Sequence, residues 1–200
     1  MNRWGLLALW LLGTTGEAQQ IFDRSAFGAQ SPTMMPISIQ TANNTGSLQF
    51  TNLPATYNTL FLNCSGLLMS AGHVLLAMQV GEGTGPTWKS DGNYTVALTG
   101  STGSSSGTNL TDLLQTTAGG DFWGSTTYPA AIKVYIDNVG SSSFYKNVTG
   151  ILNIYLDGSG PTVNVVTSYW AGDTDPITGI QLTASGGTIA KGTCSLYGMS

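Results

Sequence analysis

The stretch IKVYI, residues 132–136, alternates aliphatic side chains with a lysine and a tyrosine. Successive side chains of a β-strand point to opposite faces of a sheet, so this spacing predicts that Ile132, Val134 and Ile136 face the core. Lys133 and Tyr135 are then predicted to face solvent. A helix would instead repeat its apolar residues at intervals of three and four. The stretch therefore predicts a β-strand with one buried face.

The same period of two continues outward from this stretch in both directions. Alternating or short continuous apolar runs, bounded by Gly, Pro, Asn and Asp, predict about ten strands. The runs are 37–39, 48–50, 59–64, 74–80, 94–98, 132–136, 148–156, 163–170, 177–182 and 193–197. Strands without alternating helices predict an all-β fold, a sandwich or a barrel. The run TGSTGSSSG, residues 99–107, is predicted to be a flexible, projecting loop because of its low complexity.

The low charge of the chain argues against some classes of binding partner. The 200-residue chain is 41% hydrophobic but only 8% charged, with a net charge of -4. Six lysines and arginines are too few to displace many phosphate counterions, which argues against nucleic-acid binding. They also argue against a polybasic membrane-binding patch. Soluble monomers normally carry far more surface charge, so we predict a homo-oligomer that uses uncharged surface.

The N-terminal part differs from the rest of the chain. We predict an extended arm over residues 1–35 and one β-rich domain over residues 36–200. Residues 1–20 carry signal-peptide features, namely Arg3, a short apolar run, and small residues at Gly16 and Ala18. The run is shorter than the ~20 residues that a membrane-spanning helix needs. We favour a hydrophobic anchor that docks into a partner protein or its own oligomer through Trp4, Leu6, Leu7, Leu9, Trp10 and Leu11.

No stretch of the sequence carries a recognisable catalytic centre. His73 is the single histidine, which excludes a metal site built on two imidazoles. Asp173 and Asp175 form a close carboxylate pair. A calcium loop needs six or more oxygen ligands, whereas Asp175 before Pro176 is typical of a turn, which we favour. The sequence therefore predicts no enzyme activity, no cofactor and no metal.

Cys64 and Cys194 are the only cysteines. Two cysteines are too few for a disulfide framework. One disulfide between them is an open alternative, but we favour two small, buried, unbonded apolar side chains.

Three stretches together resemble a group of tailed-bacteriophage virion structural proteins. They are SLQFTNLPATYNTLFLNCSG (47–66), AAIKVYIDNVGSSSFYKNVTG (130–150) and SYWAGDTDPITGIQLTASGGTIAKGTCSLYGM (168–199). The group shares an ending of the form GTxSLYG and an earlier LP.TY..L.L pattern. The resemblance spans residues 46–199, with its ending the most specific part, and over 83–129 it is a resemblance in composition only.

The resemblance implies a jelly-roll-like, antiparallel two-sheet sandwich on the exterior of a virion capsid or tail. It implies capsid decoration, a tail-fibre role or host attachment, a homotrimer, and an anchor buried against other virion chains. It implies no enzyme activity. In a jelly roll the last strand lies beside the first long strand, which would place Cys194 near Cys64, with both facing inward.

Two other functions compete with the virion role. The first is a secreted carbohydrate-binding module with a cleaved signal peptide. Its sugar ligand, such as a host surface glycan, would stack on Trp88, Trp123 and Tyr128. The second is a secreted β-sandwich hydrolase, which requires two facing carboxylates or a triad in a pocket.

Overall fold

The structure, a computed structural model, describes residues 33–72, 74–100, 103–110, 114, 123–156 and 160–200. The predicted anchor side chains, His73 and the side chain of Trp123 lie outside this part of the chain. Throughout the described ranges the regular secondary structure is β, which confirms the predicted all-β class. Among these residues, none belongs to a helix long and apolar enough to cross a membrane.

The described strands alternate along the chain with turns rich in glycine, proline, asparagine and serine. In chain order they are β1 (Met35–Thr45), β2 (Ser47–Thr51), β3 (Thr59–Met69), β4 (Val74–Glu82), β5 (Thr87–Trp88), β6 (Tyr94–Gly100), β7 (Gly103–Leu110), β8 (Trp123–Gly124), β9 (Ala130–Asp137), β10 (Lys146–Leu156), β11 (Gly160–Trp170), β12 (Gly179–Ser185) and β13 (Ile189–Met199). The first strand begins one residue before the predicted start of the domain.

The strands form two antiparallel sheets. The larger sheet has the order β1-β13-β3-β9-β10-β11-β6-β7, and the smaller has the order β2-β12-β4-β5, with β8 also on β4. The first strand thus pairs with the last, β2 pairs with β12, and β3 pairs with β9. Successive nested pairs alternate between the sheets, which is the winding of a jelly roll. The strands β10, β11, β6 and β7 widen the larger sheet.

Apolar side chains from both sheets meet between them. Ile132, Val134 and Ile136 are buried, as the alternation predicts, while Lys133 and Tyr135 are exposed. Fully buried apolar side chains on other strands of the two sheets include Phe50, Leu62, Met78, Tyr94, Trp170, Ile180 and Leu196. This two-layer core confirms the predicted sandwich.

The two cysteines correct one prediction. Cys64 and Cys194 face inward on neighbouring strands, as the jelly-roll arrangement implied, but they are bonded to each other. The register places them directly opposite, with Cα atoms 4.0 Å apart. Sequence composition argued for unbonded side chains because it contains no information about strand register.

The glycine- and serine-rich middle of the chain corrects a second prediction. Thr99 and Gly100 belong to β6 and residues 103–107 to β7, which pairs with β6 from Gly103 to Leu110, so the described part of the run predicted as a loop is paired β-strand. Backbone hydrogen bonds to a neighbouring strand do not require large side chains. The short strands β5 and β8 have too few residues to show a period and were not predicted.

Candidate functional site

The three stretches that carry the family resemblance meet at one end of the sandwich. The amide of Asn58 donates to the carbonyl oxygen of Met199 (3.0 Å), and the amide of Val139 donates to that of Asn58 (3.1 Å). The amide of Ile177 in turn donates to the carbonyl oxygen of Val139 (3.0 Å). These bonds join the LPATYN, IDNVG, DPITGI and SLYGM segments. The shared motifs therefore have an architectural role at this end of the fold.

Lys146, the lysine of the FYK segment, belongs to the same end. Its side chain is fully buried, and its ammonium group donates to the carbonyl oxygens of Ser141 (2.7 Å), Thr174 (2.9 Å) and Phe144 (3.3 Å). Burial lowers the pKa of this ammonium. The three bonds tie the 141–145 turn to the 171–178 segment, so Lys146 is a structural cation.

Next to Lys146 lies a group of acidic and basic side chains that we call the polar cluster: Glu82, Lys89, Asp173 and Asp175. The ammonium of Lys89 lies 2.6 Å from Oε2 of Glu82 and 3.5 Å from Oδ2 of Asp173. Oxygens of the three carboxyl groups lie within 4.8 Å of one another. The amide of Asp175 donates to Oδ1 of Asp173 (2.9 Å), which agrees with a turn at this position.

Aromatic side chains enclose Lys89. Its ammonium lies 5.4 Å from the centroid of the buried Trp170 ring. The hydroxyl of Tyr94 accepts from the amide of Val80 (3.3 Å) and donates to the carbonyl oxygen of Lys89 (3.1 Å). The backbone and the ammonium of Lys89 are therefore both fixed in place.

Burial and neighbouring groups shift the pKa values of two carboxyl groups in the polar cluster. Burial raises the pKa of Glu82 to about 7, and the nearby Asp173 adds to this effect while Lys89 opposes it. Burial also acts to raise the pKa of Asp173. Hydrogen bonds from Glu82 and from the amide of Asp175, together with Lys89, more than reverse this, so the pKa of Asp173 is below its usual value.

Two carboxyl groups with pKa values moved apart are a common feature of hydrolytic sites. Here, however, Glu82 is only 9% exposed, and the ammonium of Lys89 forms ion pairs with both Glu82 and Asp173. The ammonium of Lys89 also supplies the positive charge that a bound cation would otherwise bring. The geometry thus favours a structural role for the cluster.

A second feature is the solvent side of the eight-stranded sheet, which we call the outer face. One row of outward side chains crosses seven of its strands in register. The row consists of Ile39, Ser195, Asn63, Lys133, Ile151, Val165 and Thr99. In the described parts of β9, β10 and β11, the charged residues at outward positions are Lys133 and Asp137.

Aromatic side chains form part of the next row on the outer face. The rings of Phe61 and Tyr135 stack with centroids 4.7 Å apart, and those of Phe61 and Tyr197 with centroids 6.1 Å apart. The rings stack face to face across neighbouring strands, and this stacking stabilises the cross-strand pairs.

The outer face is most apolar over β10 and β11. Ile151 lies directly opposite Val165, and Val163 is two residues further along the same strand. Each of the three side chains is about half exposed, at 52%, 50% and 51% respectively. These three side chains form a small exposed apolar patch on the outer face.

The structure describes the side chains of two of the predicted sugar-binding residues, Trp88 and Tyr128. Trp88 is partly buried against Gly81 and Gly179, where any β-carbon would lie within 2.9 Å of its ring. It pairs with one end of β4, whereas Trp123 pairs with the other end. Tyr128 is 46% exposed and stacks on Tyr155 at a centroid distance of 3.8 Å.

Sequence reasoning did not find Glu82 or Lys89, because neither lies in a recognisable motif and their contact with Asp173 depends on chain topology. It also gave no sign that Lys146 is buried, since lysine is normally exposed. No family model matches the chain, and neither a curated protein nor a solved structure matches it.

Proposed function

We propose that this chain is a non-catalytic structural protein of a tailed-bacteriophage virion that displays its jelly-roll sandwich on the particle exterior. The observation that carries the proposal is the apolar, weakly charged part of the outer face around Ile151, Val163 and Val165. The resemblance of residues 46–199 to virion proteins supports the same role. The outer face then serves assembly, with a second copy of the chain or a neighbouring virion protein covering it.

The energetics of this face favour assembly. Complete burial of a valine or isoleucine side chain contributes roughly 1.5–3 kcal/mol, so half-exposed side chains still hold about half of that amount. The strands beneath them are already ordered, and little conformational entropy is lost when a partner binds. A homo-oligomer, for which we propose a trimer, follows from repeated contacts of this face.

Light scattering of the full-length chain tests the assembly surface. The double substitution Ile151→Lys with Val165→Lys introduces two charges into the face and should convert an oligomer into a monomer. Thr51→Lys is the matched control, because Thr51 is exposed on the five-stranded sheet. An oligomer that survives the double substitution, or a wild-type monomer at micromolar concentration, contradicts the proposed assembly surface.

Purified particles test the virion role itself. Mass spectrometry of particles of the phage that encodes this chain should detect it at the copy number of a structural protein. Deletion of residues 2–20, which removes the proposed anchor from Trp4 to Leu11, should yield a folded sandwich that no longer incorporates. Absence from the particles rules out the virion role, and wild-type incorporation of the deletion variant rules out the anchor.

A carbohydrate-binding role is the second candidate, and Tyr128 is the observation that favours it. One face of its ring is covered by Tyr155, and the side chain is nevertheless almost half exposed. A free aromatic face can stack on a sugar ring. Glycan-array binding that disappears in Tyr128→Ala, but persists in Tyr145→Ala, would establish this role.

A further inference from the structure

We propose that Glu82 and Asp173 share one proton, and that this proton fastens the 171–178 segment to the end of β4. Loss of the proton at mildly alkaline pH then loosens the segment. The inference is independent of the virion role, because it concerns a device within the fold.

The geometry leaves one oxygen of Glu82 without a donor. Oε2 accepts from Lys89, but Oε1 is buried, and no donor among the described residues reaches it. An ionised carboxylate with a buried, unpaired oxygen is costly. A proton on Oε1 removes the charge and turns the oxygen into a donor. The carboxylate of Asp173 is its neighbour in the cluster.

The two lysines near Glu82 do not compensate the three carboxylates of the polar cluster. Lys89 follows β5 and faces both Glu82 and Asp173. Asp175 adds a third acid from the same segment as Asp173. Lys146, from β10, contributes a second positive charge, and its ammonium donates to three carbonyl oxygens. One proton shared between Glu82 and Asp173 is the simplest balance of these groups.

The pKa shifts of Glu82 and Asp173 agree with a proton shared between them. The pKa of Glu82 is raised to about 7, while that of Asp173 is below its usual value. Over the interval between, Glu82 is the protonated partner and Asp173 the ionised one. The proton therefore belongs to the pair and is held mainly on the more deeply buried residue.

The fastened segment also supports the neighbouring turn. The carbonyl oxygen of Thr174 accepts a hydrogen bond from the ammonium of Lys146. The hydroxyl of Thr174 donates to the carbonyl oxygen of Ser142 (2.9 Å). The same turn presents Phe144 and Tyr145, which are 66% and 50% exposed. Release of the segment removes two of the contacts that hold this aromatic turn.

The sign of the pH dependence follows from the raised pKa of Glu82. Its ordinary value is 4.5, and the closed segment binds the proton more tightly than the open one. The stabilisation is complete below pH 4.5 and is lost as the pH rises through about 7. Between pH 6 and pH 8 the equilibrium constant for opening the segment should rise by up to about tenfold.

Amide hydrogen exchange of the full-length chain tests the device. After correction for intrinsic rates, the amides of Asp175, Ile177 and Thr178 should lose up to about tenfold in protection between pH 6 and pH 8. Glu82→Gln keeps the shape, cannot ionise and can donate to Asp173, so it should abolish this pH dependence. Asp91→Asn, which removes an acid outside the carboxyl pair, should leave it unchanged.

A carboxyl-carbon NMR titration of the wild-type chain measures the proton on Glu82 directly and does not depend on any variant, and a folded Asp173→Asn variant tests its sharing. Glu82 should titrate near pH 7 in the wild-type chain and at a lower pH in Asp173→Asn. A Glu82 midpoint close to its ordinary value overturns the proposal. So does an unchanged pH dependence of exchange in a folded Glu82→Gln variant.

Discussion

The ring of Tyr57 lies directly on the backbone of Gly198. A β-carbon at position 198 would lie 2.5 Å from both Cγ and Cδ1 of that ring, closer than such contacts normally allow. The carbonyl oxygen of the next residue, Met199, accepts a hydrogen bond from the amide of Asn58. The LPATYN and SLYG motifs are far apart in the chain but pack against each other. Tyr57 can occupy this position because Gly198 has no side chain.

Gly198→Ala should therefore destabilise the sandwich. The added methyl group has to displace the ring of Tyr57 or strand β13, which is paired on both sides, and overpacking of this kind costs about 1–3 kcal/mol. Urea unfolding measures the change. Gly46→Ala is the control, because no atom lies within 4 Å of a β-carbon there, and its effect should stay within about 0.5 kcal/mol. Equal effects of both substitutions would show that Tyr57 adapts freely.

The strand pattern was predictable because the period of two is a local property. The alternation within residues 132–136 was enough to assign Ile132, Val134 and Ile136 to the core, without knowledge of the neighbouring strands. The same alternation assigned Lys133 and Tyr135 to the solvent side. The exposed β-branched residues of the outer face were also visible within predicted strands. Their alignment across β10 and β11, on which the proposed assembly surface rests, depends on register.

The polar cluster and the disulfide could not be predicted for the same reason. Glu82 follows a strand and precedes glycines, with no local sign that Lys89 and Asp173 surround it. Cys64 and Cys194 are 130 residues apart, and only the pairing of β13 with β3 brings them together. The hairpin strand β7 was missed because its serines and glycines have low strand propensity, while its backbone pairing with β6 still forms.

The disulfide should contribute substantially to stability. It closes a loop of 130 residues and thereby restricts the unfolded chain, which is worth about 2–5 kcal/mol in the chain-entropy account. Cys64→Ala and the double variant with Cys194→Ala should both lower the free energy of unfolding by similar amounts, since either breaks the same bond. Denaturing alkylation should add two labels only after reduction. Labelling without a reductant would contradict the bond.

Ser168→Ala should stabilise the chain or leave it unchanged. The hydroxyl of Ser168 is buried without a hydrogen-bond partner among the described residues, between the buried side chains of Val96 and Val148. Removal of an unsatisfied polar atom relieves its desolvation cost, so we expect a gain of up to about 1 kcal/mol in urea unfolding. Ser65→Ala, at an exposed hydroxyl, should have no measurable effect. A loss of more than about 1 kcal/mol at Ser168 would mean that the hydroxyl has a partner.

Lys146→Met should destabilise the end of the sandwich where the shared motifs meet. Methionine fills a similar volume but leaves the carbonyl oxygens of Ser141, Phe144 and Thr174 without their donor. Buried, unpaired carbonyl groups cost about 1–3 kcal/mol each, and partial hydration reduces the sum, so we expect a loss of about 2–4 kcal/mol. Lys133→Met, at an exposed lysine of the outer face, is the matched control and should change stability by less than about 0.5 kcal/mol. Hydrogen exchange should locate the loss in the 141–145 turn and the 171–178 segment. If both variants unfold at the same urea concentration, Lys146 does not hold this end together.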